Sequence, residues 1–278
     1  MTEKPRVGRC FVVGCPRSGT TLVQSLLAAH PDVWSPPETH FFTRLDHVRH
    51  LGRRHRRRAA TTLLRDTLVT IGAPSRRLAR PPFRSPAAAA AAFIRAMDET
   101  AAYQGRQHWV EKTPDHLLVI DAITRQAPGA RFVHVVRDGR AVVASLYEVT
   151  HAHPDVWHGP WDLERCIGAW NRAIEVTRSR RGHPSHLVVG YPEVVEDPER
   201  VARRLAAFIG LPYRREMLTE RQVAVGRIVA DREPWKANVS DAIGDSGLAK
   251  FDSILTADQR QEVQRRLVDA SDLLTVGK

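Results

Sequence analysis

A chain of 278 residues with 42% hydrophobic and 26% charged residues has the make-up of a globular protein and is long enough to bury a sizeable core. No apolar run approaches the roughly 18 residues that a membrane span needs, so a spanning helix is excluded as an expectation. The formal net charge of +11, carried mostly by arginine, calls for a polyanionic partner: nucleic acid, an acidic membrane or an anionic small molecule.

The first element expected is a short buried strand at Phe11-Val12-Val13. Gly14-Cys15-Pro16-Arg17-Ser18-Gly19-Thr20-Thr21 follows, and from Thr20 the apolar residues Leu22, Val23, Leu26 and Leu27 recur at helical spacing. A strand, a glycine loop and a helix N-terminus make an anion cradle, because unpaired N–H groups and the helix dipole point at the same place. Gly14 and Gly19 have the spacing of a Walker loop, but Thr20 stands where that loop carries its lysine. Arg17 supplies a cation from inside the loop instead. The cradle therefore suits a phosphate other than that of a nucleoside triphosphate.

Residues Thr43–Arg106 are rich in arginine, include the run Arg53-Arg54-His55-Arg56-Arg57-Arg58, and read as a helical insertion over the site. Within them, Ser85-Pro86 ahead of Ala87–Ala92 reads as a cap and first turn of a helix. Further strands are expected at Gln107–Val110, Arg131–Val136 and His186–Gly190. Helices should follow over roughly Asp115–Gln126, Arg140–Thr150 and Pro198–Phe208, with a loop at Thr150–Trp161. One terminal helix is expected over Thr256–Leu274, with Thr256 as its cap and Asp258 in its first turn.

This alternation predicts one α/β domain over residues 1–278, a three-layer parallel sheet with helices on both faces. Ligands of such sheets bind beyond the carboxyl ends of the strands. Gly14–Thr21, Lys112, Arg137 and Tyr191 all lie there. Cys10, Cys15 and Cys166 have no metal-ligand spacing and read as reduced thiols; the N-terminus lacks a signal-peptide core, so a cytoplasmic location is expected. Asn238-Val239-Ser240 matches a glycosylation sequon by chance in that setting.

Two motifs carry a family resemblance. The stretch Gly14–Leu22 resembles the 5′-phosphosulfate loop of sulfotransferases that use 3′-phosphoadenosine 5′-phosphosulfate (PAPS), and Val136–Ser145 resembles their 3′-phosphate motif. The two lie about 120 residues apart, in the family's order, each on a strand-to-helix turn. Phe208-Ile209-Gly210-Leu211-Pro212 adds a third match. Arg17, Pro37-Glu38-Thr39 and Glu111-Lys112-Thr113-Pro114 resemble the branch that includes tyrosylprotein sulfotransferases and many bacterial enzymes.

The resemblance implies sulfuryl transfer from PAPS to a hydroxyl or amine of a small-molecule or peptide acceptor, leaving adenosine 3′,5′-bisphosphate (PAP), with no metal required and no nucleic acid as partner. It implies that Arg17, Ser18, Gly19, Thr20 and Thr21 hold the 5′-phosphate, and Arg137 and Ser145 the 3′-phosphate. Glu38 is then the general base, His40 the competing base, and Lys112 the cation on the leaving oxygen. Tyr191 matches a nucleotide-side tyrosine, although Pro192 replaces the glutamate that often follows it. Arg227–Asn238 resembles the closing segment, with Trp235 against adenine and Lys236 on phosphate. A P-loop small-molecule kinase and a non-catalytic nucleic-acid binder are the competing readings. The missing lysine at Thr20 weighs against the first, and the lack of a nucleic-acid module against the second.

Overall fold

The computed structural model describes residues 7–73, 85–229 and 247–274. Its layering is decided by alternation along β1 (Gly8–Gly14). Cys10 and Val12 join a hydrophobic cluster on one face, Phe11 and Val13 a larger one on the other, and none of the four is more than 1% exposed. A strand apolar on both sides belongs in the middle of a parallel sheet covered twice. β2 (Val33–Trp34), β3 (His108–Lys112), β4 (Arg131–Val136) and β5 (His186–Gly190) complete that sheet. The order is β2-β3-β1-β4-β5, with every pairing parallel. Val12 pairs with Lys112, and Gly14 with Val135. The loops after β1, β3 and β4 therefore leave side by side, where strands on either side of β1 connect in opposite directions.

On one face α1 (Thr20–Ala28) inserts Leu22, Val23, Leu26 and Leu27 against Val12, Val110, Val133 and Val135. The other face begins with the expected insertion. It comprises α2 (Phe41–Val48), α3 (Arg53–Thr70) and α4 (Pro86–Tyr103), and Ser85 caps α4 by accepting from the Ala88 amide at 3.1 Å. α2 starts beside the crevice. α4 is part of the core wall: its Asp98 accepts from Arg9 at 3.1 and 2.6 Å and from the Trp109 indole at 2.9 Å. The run Arg53–Arg58 opens α3 with mostly exposed side chains.

Past β3 the chain forms a 3-10 turn, Pro114–Val119, before α5 (Ile120–Gln126), so the helix expected from Asp115 is tighter in its first half. After β4 come α6 (Gly139–Ala152) and α7 (Pro154–Trp157), which place helix inside the expected loop. α8 (Leu163–Ser179) escaped the sequence reading. It is capped by Asp162 and buries Cys166, Ile167, Trp170, Ala173, Ile174 and Thr177, a helical stripe. After β5, α9 (Tyr191–Glu196) and α10 (Pro198–Ile209) return to the α1 face; α10 is capped by Asp197 and ends at Gly210 in the left-handed conformation.

α11 (Glu216–Thr219) and α12 (Arg221–Ile228) follow. Then come α13 (Gly247–Ile254), α14 (Ala257–Arg266) and α15 (Ser271–Leu274). The terminal helix expected as one piece is thus two. Asn171 of α8 donates to the Arg266 carbonyl at 2.9 Å and accepts from the Val268 amide at 3.1 Å, which draws the backbone out of the helix there. Among the described residues no helix is long and apolar enough to cross a membrane.

Candidate functional site

The glycine loop turns sharply because two residues take left-handed backbone: Arg17 (φ 74°) and Gly19 (φ 92°). At Gly19 a side chain is also excluded by space, since a Cβ would lie 2.3 Å from the Tyr191 ring. α1 opens at Thr20 with no side-chain cap, so the first amide groups of the helix point into the crevice without an intrahelical acceptor. That arrangement favours an anion. Ser18, Thr20 and Thr21 are buried at the loop.

The Arg17 guanidinium reaches across to α6, where its Nε donates to Ser145 Oγ at 3.0 Å. Two residues 128 apart in sequence, expected at different phosphates, thus meet. Arg137 at the end of β4 stacks on Tyr191, 4.3 Å from the ring centroid. Tyr191 therefore touches both regions, backing Gly19 on one side and Arg137 on the other. The neighbouring Asp138 is taken by Arg140, whose guanidinium lies at 2.7 Å, and caps α6 through the Arg140 amide at 2.8 Å. That hydrogen-bonded pair holds the Asp138 carboxyl below its usual range against the opposing effect of burial.

At the end of β3, Lys112 is 1% exposed. Its ammonium donates to Thr21 Oγ1 at 3.0 Å and forms an ion pair with Glu38 Oε1. Glu38 Oε2 lies 3.3 Å from His40 Nε2. Burial pushes the half-buried His40 imidazole below its ordinary pKa, partly offset by the Glu38 charge. Thr21, Lys112, Glu38 and His40 thus form one chain of contacts from the phosphate loop to a carboxylate. Asp115 lies in the turn after Lys112; burial and the Glu38 charge push its carboxyl up to about 6. Burial keeps the three thiols protonated: Cys10 and Cys166 are pushed up to about 12, and Cys15 well above its ordinary value.

Glu111 has no role in the sequence motif that contains it. It is fully buried. Its Oε1 accepts from the Thr39 amide (3.3 Å), Thr39 Oγ1 (2.8 Å) and Thr113 Oγ1 (2.7 Å), and its Oε2 from His116 Nδ1 (2.9 Å). Burial alone would raise the Glu111 pKa, but His116 and the two threonines hold it below the ordinary value. No sequence spacing marks these contacts, since Thr39 and Glu111 are 72 residues apart.

Trp235 and Lys236 lie outside the described residues. Among the described residues, no cluster of three or more histidine, cysteine or acidic side chains is arranged to hold a metal.

The profile of the sulfotransferase family matches residues 10–215 of the chain. Protein-tyrosine sulfotransferase 1 of Danio rerio is 30% identical over 233 residues, which cover 77% of this chain and 56% of that protein. The chain thus spans just over half of that relative's length. Among solved structures, the sulfotransferase domain of the curacin biosynthetic pathway superposes with a TM-score of 0.62 at 18% identity, covering 95% of this chain and 98% of that one. A mouse sulfotransferase complexed with PAP gives 0.52 at 11% identity, covering 95% and 83%.

Proposed function

The chain belongs to the sulfotransferase family, and from that premise we propose that it moves a sulfuryl group from PAPS to an acceptor hydroxyl, releasing PAP. The observation that carries this reading is the continuous contact Thr21–Lys112–Glu38. It joins an anion cradle to a carboxylate through one buried cation, the arrangement that in-line group transfer to a hydroxyl needs. The PAP complex of the mouse neighbour supports the choice of nucleotide.

The residues fit such a donor. The open N-terminus of α1 and the space kept by Gly19 suit its 5′-phosphate, with Arg17 beside them. Arg137 over Tyr191, with Ser145, suits the 3′-phosphate. The donor supplies an activated sulfuryl group whose S–O bond to phosphate breaks as the acceptor oxygen bonds to sulfur. Glu38 takes the acceptor proton, and His40 orients the Glu38 carboxylate. Lys112 holds the charge that grows on the phosphate oxygen. Arginine, lysine and backbone amides supply this neutralisation, so no divalent metal is called for. Thr20 stands where a kinase loop carries its lysine, which disfavours the kinase alternative. The name of the Danio rerio relative supports a phenolic hydroxyl, free or on a peptide, as the acceptor to test first.

The test compares ligands and metals directly. PAP should bind in EDTA and far more tightly than ATP with Mg²⁺, and turnover of PAPS with a phenol should survive EDTA. Turnover that needs Mg²⁺, or ATP binding that matches PAP, would overturn the reading.

A further inference from the structure

Resting on that sulfotransferase reading, we propose that Glu111 is a positioning residue. With Thr113 and His116 it clamps the loop that carries Glu38 and His40, and so sets the acid–base group against Lys112.

The clamp follows from the end of a strand. Neighbouring residues of a strand face opposite sides. Lys112 turns toward Thr21 and the phosphate loop, and Glu111 turns toward the start of α2. The loop from Pro36 to Phe42 passes around this strand end, and Glu111 or its partners hold the loop's polar groups in turn. The Thr39 amide and hydroxyl donate to Glu111. The His40 amide donates to Thr113 Oγ1 at 3.1 Å, and that hydroxyl in turn donates a hydrogen bond to Glu111 Oε1. The Phe42 amide donates to His116 Nε2 at 3.1 Å, while His116 Nδ1 faces Glu111.

These contacts fix the proton positions. Nε2 of His116 accepts from a backbone amide, so it is bare. Nδ1 then carries a proton and donates it as a hydrogen bond to Glu111. A carboxylate accepts from both sides; an amide cannot. In Glu111→Gln the amide nitrogen would face either the threonine donors or the His116 N–H. If His116 moved its proton to Nε2 to adapt, it would meet the Phe42 amide. The mismatch thus spreads to the loop in every arrangement.

His40 shows why the loop needs holding. It takes left-handed backbone (φ 50°, ψ 16°), a conformation uncommon for a residue with a side chain. In that conformation its ring lies 3.3 Å from Glu38. The bond from its amide to Thr113 Oγ1 helps to hold it there. None of these contacts touches the cradle formed by Arg17, Gly19 and Thr20, so the clamp bears on the transfer step and not on nucleotide binding.

The experiment uses the full chain and three variants, Glu111→Gln, Thr113→Val and Thr113→Ser, with PAP affinity, steady-state kinetics on one phenol at saturating PAPS, and amide hydrogen exchange. Thr113→Val keeps the side-chain shape and deletes both hydroxyl bonds, and Thr113→Ser restores the hydroxyl. Glu111→Gln should lower kcat about 100-fold or more and Thr113→Val about tenfold, with PAP affinity within about twofold of wild type. Thr113→Ser should recover most of the activity. The amides of Thr39, His40 and Phe42 should lose protection in the first two variants while those of β1 and α1 keep theirs.

Unchanged kcat in a variant that binds PAP overturns the proposal. So does a loss of PAP affinity in step with kcat, and so does serine failing to rescue. If Glu111→Gln does not fold, the valine and serine pair decides. If the wild type itself fails to use PAPS, the sulfotransferase reading falls, and hydrogen exchange still reports whether the loop is clamped.

Discussion

Replacing Lys112 by methionine tests the centre of the site, because the structure bounds both effects. The side chain is 1% exposed and its partner Glu38 10% exposed, so the change takes the cation from a largely buried carboxylate that keeps His40 at 3.3 Å. Left charged, such a group costs at most about 3–5 kcal/mol, the figure for a buried charge with no compensation. It has a cheaper escape, which is to take up a proton. For a carboxyl with an ordinary pKa near 4.3, staying protonated at pH 7 costs roughly 3.7 kcal/mol, and about 1.4 kcal/mol less for each pH unit below that. The loss of stability is therefore capped near that figure at pH 7. A carboxyl that takes up a proton on folding loses stability as pH rises above about 4.3, so by that route the deficit against wild type grows with pH. Denaturant midpoints of both proteins at pH 5, 6 and 7 measure this directly. Catalysis should suffer separately, because the cation at the leaving oxygen is lost. A fall of about 10²–10³ in kcat at saturating PAPS is expected, the usual effect of removing one preorganised charge-stabilising donor. A stability deficit that does not vary with pH, or a kcat within about threefold of wild type, would refute the placement of Lys112 between loop and base.

Arg137→Ala should weaken PAP by about 1.5–3 kcal/mol, the range of a charge-assisted hydrogen bond, and weaken adenosine 5′-phosphosulfate, which lacks the 3′-phosphate, much less; equal losses in calorimetry would remove Arg137 from that phosphate. Acid should destabilise the fold through two histidines on adjacent strands: burial and the neighbouring His186 and Arg180 push His134 down to about 3, and burial with His183 and Arg180 pushes His186 down to about 4. Their pKa is depressed on folding, so the stability they permit is whole above about pH 6.5 and is lost as pH falls toward 4. At pH 5 His134 alone accounts for about 2 kcal/mol. A denaturant midpoint that is flat between pH 7.5 and 5, or a slope unchanged in His134→Gln, would count against this.

What could be read from the sequence was the part encoded locally. The glycine loop announces itself because its chemistry needs residues within a few positions of one another: a strand, a left-handed glycine and a helix start. The end of β4 at Val136 was legible for the same reason, whereas β3, expected to stop at Val110, runs on to Lys112, because the two charged residues Glu111 and Lys112 hide a strand whose continuation is fixed by pairing with β1. β2 was not legible, because two residues are too few for a period of two to show. The terminal helix was misjudged in length although its pattern is sound, because Asn171, a residue on another helix, ends it. The two phosphate motifs were separable in sequence, but the bond from Arg17 to Ser145 that unites them was not.

The four residues Glu111-Lys112-Thr113-Pro114 show where local reading stops. Read along the chain, they look like a polar strand end followed by a turn. Folded, they divide between two jobs through the pleat of the strand. Lys112 faces the phosphate loop and Glu38, Glu111 and Thr113 secure the loop on which Glu38 sits, and Pro114 starts the turn that delivers His116 to Glu111. Each job depends on a partner 70 or more residues away, at Thr21, Glu38, Thr39 or His40. A buried glutamate beside a buried lysine, neither bonded to the other, is costly unless each has its own partners. Here each has them, on opposite sides of the sheet. The placement of those partners makes a site that can bind an anion with one face of the strand and hold a base with the other.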